Sequence, residues 1–499
     1  MSFAQLYIWA GNGFSSVTTR NHSPYSWMFC KAITGVILAI SGYVVLTQLW
    51  YAAYPEEIAA TLPEDVNWGA RQPEALKDDR IRPFTITTSP AVLEHLKFRL
   101  NHTKFPHAPL KGVSFEYGFN IDYLKKIRSY WLNNYDWNAR LKFVNSLPHF
   151  KTIVSGLDIH FIHAKPAASA KNLKVIPILL IHGWPGSIRE FFELIPQLIT
   201  PRKNVDYVFE VVAPSLPGFG YSEAAAIPGL ATAQIGVIFK KLMNKLGHEK
   251  FYVSGGNWGF KIGRDMAIAY PENVLGFHST MCMDVHLAPV PVAWTAVNVW
   301  IGSFIPGFAV AKEDEYRLYP LRDYTNWLWT ETGYLHLQAT KPDTIGTALL
   351  DSPIGLAAYL MDKFSSLTNP ANRKLPDGGL TKKFTLDALL DNVMIYWTTD
   401  SILTAVRLYS EYLSNDYIKL KFDAAPVKVP TACARFPYEL VYSPDFRVNR
   451  KFKNLVRISK YNDGGLYAAF EEPKVVANDI WTSIPLFLEA RQNASSGSS

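Results

Sequence analysis

Cysteine is scarce in this 499-residue sequence, which contains only Cys30, Cys282 and Cys433. Because the three lie far apart along the chain, they form neither a disulfide framework nor the close spacing of a metal site. We therefore expect buried free thiols, no metal ion and no cofactor. Clusters of like charge are also lacking, since 50 basic and 43 acidic residues are spread along the chain. The charge pattern therefore gives no support to nucleic-acid binding.

Internal repeats are absent from the sequence too, and its composition is typical of a globular protein. Hydrophobic residues make up 48% of the chain and aromatic residues 14%. The aromatic content suits a broad apolar pocket, although a large core is the better explanation for any single aromatic residue. The chain is longer than one hydrophobic core usually needs, so we expect a large catalytic-type domain with at least one appended segment.

A long uncharged run begins at Ala32 and ends at Pro55. As a helix, its apolar part would be about 30 Å long, which matches the hydrocarbon thickness of a bilayer. Aromatic residues flank the run on both sides, as in an interfacial belt: Trp27, Trp50, Tyr51 and Tyr54. A cleaved signal peptide is the alternative, but the run starts where a signal would usually be ending. We therefore predict a membrane anchor, with the lipid bilayer as a partner.

The orientation of the anchor is open in the sequence. Arg20 and Lys31 precede the run, whereas the first basic residue after it is Arg71. Basic residues favour the cytosolic side, so this distribution weakly favours a cytosolic N-terminus and a lumenal body. The glycosylation sequon Asn101-His102-Thr103 would matter only if the body is lumenal.

Strand and helix patterns alternate after the anchor. Short apolar runs predict buried strands at Val175–Ile181, Tyr207–Ala213 and Phe251–Ser254. Helical periodicity follows at Ser187–Ile199 and Thr232–Leu246. This alternation is typical of a parallel sheet wound with helices, and it predicts an α/β fold.

Composition shifts divide the chain into predicted segments. They are an N-terminal flank (1–31), a transmembrane anchor (32–54), a linker with a further N-terminal segment (55–150), a first part of the core (151–282), a mostly helical cap (283–425), a second part of the core (426–490) and a disordered tail (491–499). The linker is rich in proline and charge, and the tail is rich in serine.

Two glycine-containing turns follow predicted strands. Asn257 is the central residue of Ser254–Gly259, with small residues two positions before and after it. This is the form of a nucleophile elbow, a strained strand-to-helix turn that exposes its central side chain. His182–Ser187 has the sequence HGWPGS and is typical of a loop that supplies a backbone N–H group to an oxyanion hole. A plain glycine- and proline-containing turn is the alternative for this loop.

Both turns belong to a longer series of motifs. The others are Phe115–Asn120, Tyr135–Trp137, His149–Thr152, Gly156–His163, Pro214–Ser222, Thr340–Thr344, Asp351–Leu356, Tyr396–Thr399 and Ala468–Pro473. Through these motifs the chain resembles the microsomal and juvenile hormone epoxide hydrolases, from about Pro63 to Glu489. The resemblance implies an α/β-hydrolase fold with a helical cap and an epoxide-hydrolase-type N-terminal segment. It also implies a location at the endoplasmic reticulum membrane and a lipophilic small molecule as partner.

The resemblance assigns a role to each site position, and two of these positions are substituted. In the family an aspartate opens the epoxide as the nucleophile, and a histidine–acid pair activates water to hydrolyse the ester. The nucleophile position here holds Asn257, and the base position holds Leu466. A neutral amide is a very poor nucleophile, and leucine has no proton to exchange. Glu439 corresponds to the acid partner, although a solvated glutamate at the sheet edge is an equal alternative.

The other assigned positions are kept. The cap tyrosines that donate to the epoxide oxygen in the family correspond to Tyr334 and Tyr396, with two ordinary buried tyrosines as the alternative. The oxyanion hole corresponds to His182, Gly183, Trp184, Pro185 and Trp258. We therefore expect a catalytically degenerate epoxide hydrolase that binds epoxide-bearing or isoprenoid-like lipids. Two alternatives stay open: an active hydrolase that uses other residues or a deamidated Asn257, and a protein-interaction scaffold.

Overall fold

The structure of the chain is a computed structural model that describes residues 24–53, 61–70, 80–105, 107–167, 170, 172–284 and 289–496. Most of the predicted N-terminal flank, much of the predicted linker and residues 497–499 lie outside the described residues. The chain forms two compact units. The smaller contains the described parts of residues 1–54 and 288–296, and the larger contains the remaining described residues.

An apolar helix, α1 (Pro24–Ala52), forms most of the smaller unit. Its segment Lys31–Ala52 has a mean hydropathy of 1.8 and is long enough to cross a membrane. Near the end of the helix, Trp50 stacks on Trp294 with ring centroids 4.3 Å apart. Trp294 Nε1 also donates a hydrogen bond to Thr47 Oγ1 at 2.9 Å. In length and composition this helix fits the predicted anchor.

The strands of the described residues form one nine-stranded sheet in the larger unit. In chain order they are β1 (Arg82–Phe84), β2 (His149–Val154), β3 (Leu157–Ala164), β4 (Lys174–Ile181), β5 (Tyr207–Pro214), β6 (Phe251–Gly255), β7 (Val274–Ser279), β8 (Thr431–Arg435) and β9 (Leu455–Lys460). Their order across the sheet is β1-β2-β3-β5-β4-β6-β7-β8-β9. From β5 to β9 all neighbours pair in parallel, which confirms the predicted α/β fold.

The first three strands depart from the parallel sheet that we predicted. They pair antiparallel with one another, and β3 also pairs antiparallel with β5. A tight turn at Ser155 and Gly156, both with positive φ, joins β2 to β3. The sequence of β3 alternates from Leu157 to Phe161, but most of its side chains are buried, including the polar His160. It is not a continuous apolar run, and we assigned no strand there.

Helices pack on the sheet and fill the segment between β7 and β8. Before β7 they are α2 (Pro90–Asn101), α3 (Ile121–Asn133), α4 (Trp137–Val144), α5 (Ile195–Ile199), α6 (Thr232–Lys245) and α7 (Trp258–Ala269). Between β7 and β8 they are α8 (Pro289–Gly302), α9 (Leu321–Glu331), α10 (Gly333–Thr340), α11 (Pro342–Asp351), α12 (Pro353–Ser366), α13 (Leu386–Thr398), α14 (Ile402–Tyr412) and α15 (Asn415–Lys419). After β8 come α16 (Asp445–Lys451), α17 (Ala468–Glu471) and α18 (Pro473–Ser496).

The last helix extends further than the sequence suggested. We expected a disordered tail from residue 491, but α18 continues to Ser496. Arg491 accounts for the difference, because its guanidinium Nε donates to the carbonyl of Leu275 at 2.7 Å and its Nη2 to that of Val274 at 2.6 Å. These bonds attach the end of the helix to β7.

The expectation of free thiols is wrong for two of the three cysteines. Cys282 and Cys433 form a disulfide, with Cα atoms 5.7 Å apart. Cys433 lies in β8 and pairs with Ser279 at the end of the neighbouring β7, so the sheet brings together residues 151 positions apart. Spacing along the chain cannot reveal such a pair, because it depends on which strands are neighbours.

Candidate active site

The predicted elbow lies at the turn between β6 and α7. Its central residue, Asn257, has φ 52° and ψ −126°. A non-glycine residue held in such a region is strained by roughly 1–3 kcal/mol. The turn also needs small neighbours: a Cβ on Gly255 would lie 2.6 Å from the backbone of Gly259, and a Cβ on Gly259 would overlap the carbonyl of Ile181. The chain therefore keeps the backbone of a nucleophile elbow.

The Asn257 carboxamide is held by the backbone at both ends. Its Nδ2 donates to the carbonyl oxygen of Trp184 at 2.7 Å, and its Oδ1 accepts from the N–H of Trp258 at 2.7 Å. Gly183 lies directly against the side chain, since a Cβ there would be 2.5 Å from Asn257 Cβ. The HGWPGS loop therefore adjoins the elbow, and the Trp258 N–H already binds the side-chain oxygen of its central residue.

His182, the histidine of that loop, is fixed as a neutral structural group. Its Nδ1 lies 3.0 Å from the carbonyl oxygen of Gly183, and its Nε2 lies 3.1 Å from the N–H of Leu216. The first nitrogen must therefore donate and the second must accept. Burial lowers the pKa of His182 to about 4. With both nitrogens engaged, this imidazole is not free to act as a general base.

Helix α13 is bonded directly to the same loop. Asn392 Nδ2 donates to the carbonyl of Pro185 at 2.7 Å, and its Oδ1 accepts from the Ser187 hydroxyl at 2.8 Å. Beside it, the fully buried Asp391 accepts from Arg140 Nη2 at 2.5 Å and from Arg189 Nε at 3.1 Å. These contacts fix the loop against a cap helix.

Leu466, at the base position, is buried beside the segment that carries Glu439. Tyr438 forms a parallel bridge with Gly465, which places the two predicted positions next to each other. Glu439 Oε1 accepts from the N–H of Leu440 at 2.9 Å. Its Oε2 is buried and has no hydrogen-bond partner among the described residues. Burial raises the pKa of Glu439 to about 7, which fits a carboxyl group with one oxygen that lacks a described partner.

Glu190 is a second buried acid at the site, and the sequence did not single it out. It packs against Gly186, where any Cβ would overlap its carboxyl group. Burial raises the pKa of Glu190 to about 8, although the N–H of Gly183 acts in the opposite direction. Glu190 and Leu466 line a cavity of about 20 Å³, which is enough for about one water molecule. The only indication in the sequence that Glu190 belongs to the site was its position in the helical turn that follows the HGWPGS loop.

The two predicted tyrosines have different surroundings. Tyr334 stacks on Trp184 with ring centroids 5.2 Å apart. Tyr396 is buried, and its hydroxyl donates to the carbonyl of Gly186 at 2.6 Å. Tyr409, which we did not predict, has its ring centroid 6.2 Å from that of Tyr334 and 4.7 Å from that of Trp258. Tyr334 and Tyr409, with the two tryptophans, therefore form an aromatic wall beside the elbow.

The side chains of a serine, a histidine and an aspartate form a hydrogen-bonded series beneath the elbow. Ser254 Oγ is 2.8 Å from His278 Nδ1, and His278 Nε2 is 3.1 Å from Asp479 Oδ1. All three side chains are buried, and the cavity that Ser254 lines is the same 20 Å³ space. A substrate does not fit there, so this set is a structural network rather than a catalytic triad.

Among the residues that the structure describes, His163, Glu210 and His248 together have the composition of a metal site. Glu210 Oε1 lies 2.6 Å from His163 Nε2 and 3.3 Å from His248 Nε2. Lys165 Nζ is 3.4 Å from the same oxygen. An ammonium group in that position competes with a cation for the carboxylate, so the arrangement fits an ion-pair network better than a metal site.

Comparison with known proteins agrees with this geometry. A family model described as "Epoxide hydrolase N terminus" matches residues 81–191, and one described as "alpha/beta hydrolase fold" matches residues 176–300. Juvenile hormone epoxide hydrolase 1 of Ctenocephalides felis is 45% identical over 91% of this chain and 95% of its own length. Epoxide hydrolase 1 of Oryctolagus cuniculus is 40% identical over 89% and 97%. The crystal structure of juvenile hormone epoxide hydrolase from Bombyx mori superposes with a TM-score of 0.82 at 43% identity, and covers 86% of this chain and 100% of that one.

Proposed function

The chain belongs to the epoxide hydrolase family of α/β-hydrolases, and on that basis we propose that it binds lipophilic epoxides or isoprenoid-like lipids without hydrolysing them. The observation that carries the proposal is the pair of residues Asn257 and Leu466, beside an elbow and an HGWPGS loop that keep their backbone geometry. One substitution removes the alkylation step, and the other removes hydrolysis of the ester.

The first step fails because the elbow presents no anionic oxygen. Asn257 Oδ1 accepts a hydrogen bond from Trp258, and its Nδ2 is turned to the carbonyl of Trp184. An amide oxygen carries no full charge, so it attacks an epoxide carbon far more slowly than a carboxylate does. Because nucleophile and base act as a unit, we expect turnover on the order of 10⁶-fold below that of an intact site.

The second step lacks the imidazole that the family uses, because Leu466 holds the base position and neither nearby described histidine is free to replace it. His182 is committed to two backbone partners, and His278 is bonded within the network of Ser254 and Asp479. Glu439 keeps its place, but it has no imidazole to orient. Binding, by contrast, needs only an apolar surface with a few polar groups. The aromatic wall of Trp184, Trp258, Tyr334 and Tyr409 supports this role.

We also propose that the protein is a single-pass protein of the endoplasmic reticulum membrane, with α1 as its anchor. The support is the apolar segment Lys31–Ala52 and the aromatic residues near its end. The full chain should stay in the membrane pellet after carbonate extraction, and a chain lacking residues 1–54 should be released. Release of the full chain by high pH or high salt would contradict the proposal.

The decisive experiment incubates purified full-length protein with a generic lipophilic epoxide. We expect no diol above the uncatalysed rate, but saturable quenching of tryptophan fluorescence that weakens in Trp184→Phe. Peptide mapping must show that Asn257 has not deamidated. Diol release by such a preparation would overturn the proposal in favour of an active hydrolase. Absence of both turnover and binding would favour an interaction scaffold.

A further inference from the structure

We propose that the cap contacts the surface of the lipid bilayer through an exposed apolar patch formed by Trp300, Phe304, Ile305 and Phe308. The patch lies at the end of helix α8 and in the turns that follow it. It is a membrane contact additional to the anchor α1. The inference rests on the anchor proposed above, because a chain held at the membrane keeps this patch beside a bilayer.

The patch is apolar, exposed and contiguous. Trp300 is 60% exposed, Phe304 69%, Ile305 52% and Phe308 45%. Trp300 and Phe304 are in direct contact, with ring centroids 5.1 Å apart. Every residue from 303 to 308 is exposed. Single exposed apolar side chains are ordinary on a protein surface, but a contiguous group of them marks a surface that contacts an apolar partner.

The fold holds the patch in place from behind. Tyr319 Oη donates to the carbonyl oxygen of Val299 at 2.8 Å. Gly302 lets the chain turn closely over Tyr319 and Ala309, since a Cβ on Gly302 would overlap the Tyr319 hydroxyl. A small buried cluster supports the turns and consists of Ala309, Val310, Leu318 and Tyr442. The exposed side chains therefore belong to a packed surface of the cap.

The sequence around the patch lacks charge. No Asp, Glu, Lys or Arg occurs between Asp284 and Lys312. Charged side chains are costly to place among acyl chains, so their absence suits contact with lipid. Trp and Phe are also the side chains that interfacial segments place at the boundary between headgroups and acyl chains. The composition of this segment therefore fits the interface of a bilayer.

Helix α8 connects the patch to the anchor. In the smaller unit, Trp294 of α8 stacks on Trp50 near the end of α1, with ring centroids 4.3 Å apart. Because Trp50 comes at the end of the apolar segment Lys31–Ala52, it belongs at the membrane boundary. Trp300 follows Trp294 in the same helix, at about 9 Å along the helix axis. The patch therefore begins less than two helical turns from a residue that contacts the anchor.

A bilayer is the partner that these features fit together. The partner must be apolar, must need no charged counterpart and must lie next to the end of α1, and acyl chains meet all three conditions. Because the anchor already keeps the chain at the membrane, the patch meets lipid at a high effective concentration, and a small contact is enough. This contact holds the cap at the surface where lipophilic ligands accumulate.

The first test uses the full chain in phosphatidylcholine vesicles that contain a lipid with a photoactivatable diazirine near the ester end of one acyl chain. After irradiation, mass spectrometry should find lipid adducts on α1 and on the peptide containing residues 300–308. Phe98 and Tyr117, which are 56% and 83% exposed, should stay unlabelled. Labelling of α1 without labelling of the patch would overturn this inference and leave the anchor intact. An unlabelled α1 would instead overturn the anchor, and this inference with it.

The second test combines Phe304→Ser with Ile305→Ser. The double variant should reduce labelling of the patch severalfold and leave labelling of α1 unchanged, because polar side chains withdraw the turn from the acyl chains. Phe98→Ser also removes an exposed apolar side chain, so it is the matched control and should change neither. All replaced side chains are exposed, so each variant should keep the wild-type urea midpoint.

Two results of the second test would overturn the proposal. One is labelling of the patch that survives the double substitution. The other is a dimer in detergent that the double substitution dissociates, because it would assign the patch to a second copy of the chain.

Discussion

The carboxamide nitrogen of Asn257 lies 2.7 Å from the carbonyl oxygen of Trp184 and donates a hydrogen bond to it. An aspartate in the same pose would place a carboxylate oxygen against that carbonyl, and the two would repel. The amide thus stabilises the junction between elbow and loop. It does so on a backbone that keeps the strained conformation of an elbow.

Asn257→Asp alone should restore alkylation but not turnover. A carboxylate at the elbow can attack the epoxide carbon, but Leu466 cannot activate water to release the ester. We expect an adduct that reaches about one equivalent per protein, located by mass spectrometry on the peptide containing residue 257. Asn257→Ala, which lacks any side-chain oxygen, is the control and should form no adduct. Steady diol release by Asn257→Asp alone would show that another group acts as the base.

Asn257→Asp combined with Leu466→His should release the diol. The bridge between Tyr438 and Gly465 places an imidazole at position 466 beside Glu439, whose Oε2 lacks a described partner. An imidazole acts as a base only when neutral, so the rate should rise through about pH 6.5, its ordinary pKa. Adding Glu439→Gln should remove most of the gain. If Glu439→Gln leaves the rate unchanged, Glu439 is not the orienting acid.

The stability of Glu190→Gln relative to that of the wild type should increase as the pH rises. Burial raises the pKa of Glu190 from its ordinary 4.5 to about 8, so the unfolded chain ionises first. Wild-type stability is therefore lost progressively between those values, and the full loss from this group is on the order of 5 kcal/mol. Urea unfolding of both proteins in detergent at pH 5 and pH 8.5 measures the difference. Equal pH dependence in the two proteins would show that Glu190 ionises normally.

Asp391→Ala should destabilise the protein by about 3–5 kcal/mol, because it leaves two arginines without their buried partner. Asp391 is fully buried between Arg140 and Arg189. Asp351→Ala is the matched control: its 2.6 Å contact with Arg99 is similar, but the Asp351 side chain is 77% exposed. An exposed pair contributes at most about 1 kcal/mol. Similar urea midpoints for the two variants would exclude a special role for the Asp391 cluster.

Local patterns in the sequence were enough for three of the six parallel strands. Strands β4, β5 and β6 were predicted within one residue at each end, because each is a short apolar run that ends at a turn. The elbow and the HGWPGS loop were predicted for the same reason, since small residues at fixed positions determine such turns. The antiparallel strand β3 was missed, because Asp158, His160 and His163 interrupt its apolar residues and it is not a continuous apolar run.

Features that depend on distant parts of the chain were not predictable from one sequence. The disulfide needs β7 and β8 to be neighbours, which no spacing along the chain reveals. Tyr409 lies on the apolar face of α14, where its identity looks like that of any core residue. Its place in the aromatic wall follows only from how α14 packs over Trp184 and Trp258.

The bond between Cys282 and Cys433 closes the helical segment between β7 and β8 into a covalent ring. A peptide bond cut anywhere inside that ring opens the chain without separating its two parts. The fragments would stay attached at the base of the cap, and the backbone beneath Asn257 would remain continuous. A nicked molecule would therefore migrate as one species until the disulfide is reduced. The loops of the cap can accept cleavage or insertion, because the disulfide holds the two ends of the cap segment together.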